Sequence, residues 1–139
     1  MLQLKKAFTL LEILVVIGII GIMVAMGTAS YSTAQKKARD AKRKTDLRTI
    51  QNALEQYYSV CNYLYPTPAP ASPGLVNEVF CPNPSIGILQ SADTPIDPKS
   101  KTKYNMTDGG DTYLICAPTI SATMGLETEA AAYCLKNQQ

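Results

Sequence analysis

A chain of 139 residues has room for one small globular domain and an anchoring segment, but not for a second full-sized hydrophobic core. Its formal charge of +2 is too small to indicate a polyanionic partner, and Lys5 and Lys6 account for the whole excess. Trp is absent, and so is His, which is both the commonest general base and the commonest nitrogen ligand for metals. We therefore do not expect an enzyme.

The first predicted element is an apolar helix. Between Phe8 and Gly27 there are 20 residues in which Glu12 carries the only charge, and at about 1.5 Å per residue they match a hydrocarbon core of roughly 30 Å. The two lysines before this segment place the N-terminus on the cytoplasmic side and the rest of the chain on the exported side. A second interpretation is a secretory signal peptide cleaved after Ala29, which would release a disulfide-bonded binding module.

Glu12 helps to choose between these interpretations. A carboxylate within an apolar helix costs about 2 to 3 kcal/mol on insertion scales, and a discarded signal peptide would gain nothing from it. We therefore expect the acid to have a cationic partner. Removal of residues 1–7 would create one, because Phe8 would then carry a free α-amino group four residues before Glu12.

The sequence Lys6-Ala7-Phe8-Thr9-Leu10-Leu11-Glu12 strongly resembles the prepilin peptidase site of the type IV pilin superfamily, which includes pilins, type II secretion pseudopilins and DNA-uptake pseudopilins. The resemblance implies cleavage between Ala7 and Phe8 and N-methylation of Phe8. It also implies that Glu12 neutralises the N-terminus of a neighbouring subunit during assembly. The family usually has glycine at the position of Ala7, so we expect this difference to affect the rate of cleavage more than its site.

The resemblance further implies a structural subunit, a pilin that polymerises into a type IV pilus. A major pseudopilin of a type II secretion or DNA-uptake pseudopilus is the alternative. The implied partners are other copies of the chain in a helical filament, the prepilin peptidase and the pilus assembly platform. The subunit is expected in the cytoplasmic (inner) membrane before assembly and in an extracellular pilus afterwards.

The helix is predicted to continue without a proline to about Ser59. The expected organisation is a leader (1–7), a transmembrane and filament-core helix (8–29), an amphipathic continuation (30–59) and an exported disulfide-bonded globular domain (60–139). Small residues at i, i+4 spacing in the first half allow close helix packing, although such residues are common in membrane helices; they are Gly21, Ala25 and Ala29. An apolar stripe in the second half can pack on a sheet; it consists of Leu47, Ile50, Leu54 and Tyr57.

Seven basic residues lie between Lys36 and Arg48, opposed there only by Asp40 and Asp46. We favour a solvated helix face with local pairs such as Asp40 with Lys44. Contact with anionic lipid headgroups before assembly is a second interpretation. Binding of nucleic acid is a third, but the stretch lacks the interleaved aromatic side chains on which bases stack.

The remainder of the chain predicts a small sheet. "YPTPAPASPG" predicts a surface loop, because closely spaced prolines cannot continue a helix or an inner strand. Residues 103–107 and 112–119 predict an antiparallel hairpin, and 131–135 a third short strand. Together with the resemblance, this predicts an α+β, pilin-like fold in which a long N-terminal helix packs on a small antiparallel sheet.

Four cysteines after the apolar segment predict two disulfides, for which three connectivities exist. We favour Cys61 with Cys81 and Cys116 with Cys134, because each bridge would join an irregular segment to a regular element.

Asp108 and Asp111 flank a Gly-Gly turn, and the resemblance to calcium-binding type II pseudopilins suggests a calcium ion as one interpretation. Two carboxylates are few for a site of six to eight oxygens, and a plain turn explains the same residues. We therefore expect no cofactor.

Overall fold

The computed structural model describes five stretches of the chain, which are residues 8–67, 74–107, 110–117, 126–129 and 132–138. It divides into two compact units, Met1–Gln35 and Lys36–Gln139, each described here by itself. Helix α1 runs from Leu10 to Val60 and contributes to both units. The prediction of one long helix from residue 8 to about residue 59 is therefore confirmed.

In the first unit, α1 presents apolar side chains that are all largely exposed, from Phe8 to Met26. An 18-residue window of the helix has a mean hydropathy of 2.6 and is long and apolar enough to cross a membrane by length and composition. A signal sequence passes the same test. The helix is thus compatible with an anchor, and the choice between anchor and signal peptide depends on the N-terminal motif.

In the second unit, the predicted apolar stripe of α1 forms one side of the hydrophobic core. Leu47, Ile50 and Leu54 are fully buried and Tyr57 is nearly so. They belong to a single cluster with side chains from the later part of the chain, among them Val79, Tyr104, Met106, Tyr113 and Ile115. The i, i+3, i+7 spacing places the stripe on one helix face, which makes this burial possible.

Six strands occur in the described part of the chain, namely β1 (Gly74–Leu75), β2 (Val79–Pro82), β3 (Ser85–Leu89), β4 (Asn105–Thr107), β5 (Leu114–Cys116) and β6 (Cys134–Lys136). One antiparallel sheet has the order β1-β4-β5-β6, and β2 with β3 forms a separate hairpin. Met106 lies opposite Ile115, and Ile115 opposite Leu135. Residues directly opposite share a sheet face, so these strands present one apolar surface toward the core.

The predicted hairpin and third strand are confirmed: β4 and β5 lie within the predicted ranges, and β6 ends at Lys136, one residue beyond the predicted range. Residues 118, 119 and 131 of these predictions lie outside the described stretches. Two elements were missed. Strand β1 has only two residues and follows the proline-rich loop, of which residues 68–73 lie outside the described stretches. The β2–β3 hairpin has Pro82 at the end of β2 and Pro84 in its turn, and proline is unfavourable within an inner strand. Its buried Val79 and Cys81 nevertheless alternate with exposed Phe80, as one-sided burial requires.

Candidate assembly site and buried ion-pair network

Thr9 and Glu12 form a capping box at the beginning of α1. The Thr9 backbone N–H donates to Glu12 Oε2 at 3.2 Å, and the Thr9 hydroxyl donates to the same oxygen at 3.3 Å. The Glu12 backbone N–H donates in return to Thr9 Oγ1 at 3.2 Å. This arrangement satisfies free donors of the first turn and places a negative charge at the positive end of the helix dipole. Glu12 therefore has a hydrogen-bonding partner, Thr9, within its own chain. The sequence analysis missed this partner, although Thr-x-x-Glu is a recognisable capping-box spacing.

The other predicted assembly residues lie nearby or outside the described stretches. Phe8, immediately before the capping box, is 80% exposed. Ala7 and the rest of the leader lie outside the described stretches. Gly21 has no heavy atom within 4 Å of a Cβ built on it, and Ala25 is exposed. Ala29 lies in α1, but its side chain is not among those described. The role of the small residues in helix packing stays a prediction.

Arg43 is the largest fully buried side chain in the described part of the chain, and it binds three carboxylates. Its Nε and Nη2 donate to the two oxygens of Asp97, with 3.3 Å between Nη2 and Oδ2. Its Nη1 donates to Asp40 Oδ1 at 2.8 Å and to Glu127 Oε1 at 3.1 Å. One planar guanidinium thus joins the helix, the loop that begins at Asp97 and the segment 126–129. We refer to Arg43, Asp40, Asp97 and Glu127 as the Arg43 network.

Each carboxylate of the network accepts further hydrogen bonds. Asp97 accepts from the backbone N–H groups of Lys99 at 3.0 Å and Ser100 at 2.6 Å. Asp40 accepts from the backbone N–H groups of Glu127 and Thr128, both at 2.8 Å. Glu127 binds Arg39 through two hydrogen bonds of 2.7 and 2.8 Å. Every buried charge therefore has several partners, which a buried ion network needs to be stable.

These contacts shift the pKa values of the carboxylates downward. The hydrogen bonds from Arg39, and then those from Arg43, outweigh burial and lower the pKa of Glu127 from 4.5 to about 2. At Asp97, burial acts to raise the pKa, but the Arg43 hydrogen bonds and the Ser100 and Lys99 donors lower it overall. The pKa of Asp40 is also lowered, because backbone and Thr128 donors exceed the effect of burial. All three groups are therefore charged at neutral pH.

We expect the second unit to lose stability as the pH falls from about 4.5 toward 2. The unfolded chain binds more protons than the folded one in this range, since the folded pKa of Glu127 is depressed to about 2. The stabilisation is present above the unfolded pKa and is lost on acidification. Thermal unfolding of the full chain at several pH values would measure it. A Glu127→Gln variant is expected to show a flatter curve below pH 4.5, and parallel curves would contradict the assignment.

A second group of hydrogen bonds joins tyrosines of the sheet region to carboxylates of α1. Tyr104 donates to Asp46 Oδ2 at 2.9 Å, and Asp46 also pairs with Lys42 at 2.7 Å. Tyr65 and Tyr113 both donate to Glu55, at 3.0 and 2.8 Å. Burial, followed by the neighbouring carboxylate, raises the pKa of Tyr65 to about 12. These hydroxyls remain protonated donors, so they position the sheet on the helix.

The predicted solvated basic face is correct for Lys36, Lys37 and Arg48, which are exposed. It is wrong for Arg43, which has no exposed surface. The expected pair of Asp40 with Lys44 is replaced, since Asp40 binds Arg43 and Lys44 binds Glu129 at 2.7 Å. The partners in the C-terminal part of the chain are far away in sequence, so local spacing gave no signal for them. Because Arg43 and Lys44 are paired with carboxylates, fewer cations are free to bind nucleic acid than the sequence suggests.

The structure joins Cys61 to Cys81 and Cys116 to Cys134. The first bridge connects the turn after α1 with β2, and the second connects β5 with β6. These are the pairings that the sequence analysis favoured. Both link segments of the core, because Cys61, Cys81 and Cys116 are buried.

Loss of either bridge is expected to lower the free energy of unfolding by about 3 kcal/mol, because each closes a loop of roughly 20 residues in the unfolded chain. Urea unfolding of the full chain, compared with its Cys116→Ser/Cys134→Ser variant, would measure the second bridge alone. A change below about 1 kcal/mol would show that the unfolded chain is not appreciably restrained by this bridge.

The calcium hypothesis receives little support from the residues described. Asp111 is exposed and Asp108 lies outside the described stretches. Within those stretches, no group of three acidic, cysteine or histidine side chains is placed to hold a metal ion. Gly110 adopts φ +83°, and its backbone exchanges hydrogen bonds with Tyr65. A turn that needs glycine therefore accounts for this residue.

Comparison with known proteins gives further evidence. Residues 2–28 match the family described as the prokaryotic N-terminal methylation motif. The chain is 34% identical over 80 residues to type II secretion system core protein G of Vibrio cholerae, which covers 58% of this chain and 54% of that protein. It is 38% identical over 63 residues to core protein G of Escherichia coli, covering 45% and 43%. The type IV major pilin protein PilA of Myxococcus xanthus is 30% identical over 55 residues, covering 40% and 25%. No solved structure matches the chain.

The methylation motif, the long apolar helix and the small antiparallel sheets packed on it define a pilin-like subunit. The chain carries the N-terminal methylation motif and is similar to type II secretion and type IV pilin subunits, as its N-terminal sequence suggested. Pilins and pseudopilins are structural proteins and not enzymes. The chain spans about half the length of the type II secretion relatives that it matches.

Proposed function

We propose that the chain is the major subunit of a pseudopilus of the type II secretion kind. The observation that carries this proposal is the similarity to core protein G over 80 residues, which is too long to be confined to the motif at residues 2–28. The similarity to the type IV pilin covers only 25% of that protein. The comparisons thus favour the pseudopilin, which the sequence analysis ranked second, over the pilus subunit that it ranked first.

In the proposed pathway, the apolar half of α1 anchors the subunit in the inner membrane with its N-terminus in the cytoplasm. A prepilin peptidase cleaves between Ala7 and Phe8, and Phe8 is then N-methylated. During polymerisation on an assembly platform, Glu12 pairs with the new N-terminal amine of a neighbouring subunit. In an apolar surrounding an unpaired charge is costly, so this pairing favours the assembled filament over misaligned contacts.

The capping box supports this role of Glu12. Thr9 holds the carboxylate at the beginning of α1, next to Phe8, before any neighbour is present. The acid is therefore already ordered near the residue whose amine it is proposed to bind. Less conformational freedom is then lost during assembly than for a mobile side chain. Gly21, Ala25 and Ala29 are proposed to let neighbouring helices approach closely.

Two other functions have specific observations behind them. A type IV pilus subunit is supported by the similarity to PilA. A secreted binding module released after Ala29 is supported by the disulfide-bonded second unit, which has its own core. The methylation motif argues against the secreted module, because a signal peptide has no need for an acid or for a peptidase site before Phe8.

Mass spectrometry of the mature protein tests the proposal first. We expect a chain that begins with N-methylated Phe8, and an N-terminus at Ser30 would overturn the proposal in favour of the secreted module. An Ala7→Gly variant should be cleaved at the same bond, only faster.

Deletion of the gene in its host then distinguishes the two types of filament. Loss of protein secretion with normal surface pili supports a pseudopilin, and loss of pili with normal secretion supports a pilin.

A further inference from the structure

The surface at the beginning of the second unit is more positive than the chain as a whole. Residues 36–48, 97–101 and 127–129 carry nine basic and five acidic side chains, an excess of four in a chain of net charge +2. Burial increases this imbalance at the surface, because only Arg43 of these nine basic side chains is fully buried. Four of the five acidic side chains are at most 5% exposed, namely Asp40, Asp46, Asp97 and Glu127. The surface therefore presents mainly cations.

These cations come from two segments that are distant in sequence. Lys36 lies one turn before Arg39 on α1, so the two share a helix face. Arg39 Nε is 2.7 Å from Glu127 Oε1, and Lys99 Nζ is 3.5 Å from Glu127 Oε2. Lys99, which is half exposed, therefore lies beside the same face. We define the basic collar as Lys36, Arg39 and Lys99, together with Lys37, which is exposed next to Lys36 on an adjoining side of the helix.

We propose that the basic collar binds the anionic headgroups of the membrane in which the unassembled subunit is anchored. This inference rests on the membrane anchoring of the proposed function. Lys36 follows Gly27, the last residue of the apolar segment, by nine residues in the sequence. The basic collar therefore begins close along the chain to the segment proposed to anchor the subunit, and flexible lysine side chains can extend toward the headgroups.

The composition of the collar favours lipid over nucleic acid. No aromatic residue lies between Lys36 and Arg48, whereas sites for single-stranded nucleic acid stack bases on aromatic rings. Three of the four collar residues are lysines, and a lysine interacts with a phosphate as a point charge without demanding a fixed geometry. Such contacts suit a fluid surface. They would be lost when the subunit leaves the bilayer, so the collar stabilises the anchored subunit relative to the filament.

The full chain in lipid nanodiscs allows a direct test. One set of discs contains phosphatidylcholine alone, and the other also contains phosphatidylglycerol. A water-soluble reagent acetylates accessible lysines, and mass spectrometry gives the rate at each position. We expect Lys36, Lys37 and Lys99 to react about fivefold more slowly in the anionic discs, since one charge near such a surface changes occupancy by about that factor. High salt should remove the protection. Lys136, exposed on β6, is the internal reference.

A matched pair of variants separates the collar from general charge. Lys36→Gln/Lys37→Gln is expected to reduce the protection of Lys99. Arg48→Gln, exposed on the same helix about 18 Å further along, should leave it intact. Equal acetylation of the collar in both kinds of disc would overturn the proposal while leaving the pseudopilin function standing. Protection by added DNA in neutral discs, without protection by anionic lipid, would overturn it in favour of nucleic acid. A chain that inserts into neither disc would contradict the membrane anchoring itself.

Discussion

Replacement of Arg43 by alanine is expected to lower the free energy of unfolding of the second unit by about 3 to 5 kcal/mol, because it leaves buried carboxylates without their counter-ion. Asp97 is fully buried and Glu127 is 5% exposed, so water cannot readily take over the role of the guanidinium. The loop that begins at Asp97 and the segment 126–129 would lose their common attachment to α1. Urea unfolding of the full chain in detergent, followed by near-ultraviolet circular dichroism, measures this loss.

Arg48→Ala is the matched control for this prediction. It removes the same side chain from the same helix, at an exposed position, and should change the free energy of unfolding by less than about 0.5 kcal/mol. Adding Asp97→Asn to Arg43→Ala should restore part of the lost stability, since one uncompensated charge is removed. Equal effects of Arg43→Ala and Arg48→Ala would mean that the Arg43 network does not stabilise the fold.

Replacement of Glu12 by glutamine is expected to abolish filament assembly, with about a tenfold or greater loss of assembled subunit, while the subunit still accumulates in the membrane. Glutamine is accepted at the third position of a capping box, so the hydrogen bonds with Thr9 remain possible and only the charge is lost. The effect then reports the proposed pairing with a neighbour's amine. Quantitative immunoblotting of filament and membrane fractions provides the measurement.

Thr9→Ala serves as the complementary variant to Glu12→Gln. It weakens the cap, at a cost of about 1 kcal/mol to the first turn, but keeps the carboxylate. We expect it to assemble better than Glu12→Gln. If Glu12→Gln formed filaments at the normal level, the proposed pairing between subunits would be wrong. If Thr9→Ala were the more severe variant, helix capping would matter more than the charge of Glu12.

Features that depend on near neighbours in the chain were accessible from the sequence. The resemblance to the type IV pilin superfamily was accessible from the run between Phe8 and Gly27, the Ala7-Phe8 junction and the placement of Glu12. A long apolar segment and a short motif are both local features of the sequence. The apolar stripe from Leu47 to Tyr57 was accessible for the same reason, since helical periodicity is fixed by local geometry. The cysteine count predicted two bridges and by itself left their pairing open, and the pairing that we favoured from the surrounding elements is the one in the structure.

Tertiary structure alone decided which charges are buried. By spacing, Arg43 is one of seven similar cations, and its selection depends on Asp97 and Glu127, which lie more than 50 residues away. Burial of a guanidinium is tolerated only where several carboxylates converge, and that convergence arises from folding of the chain rather than from any local pattern. The sequence by itself thus determined the resemblance to pilins, the membrane-compatible helix and the helix face in the core. The fold decided that Arg43 of the basic stretch is buried among carboxylates while Lys36, Lys37 and Arg48 stay exposed.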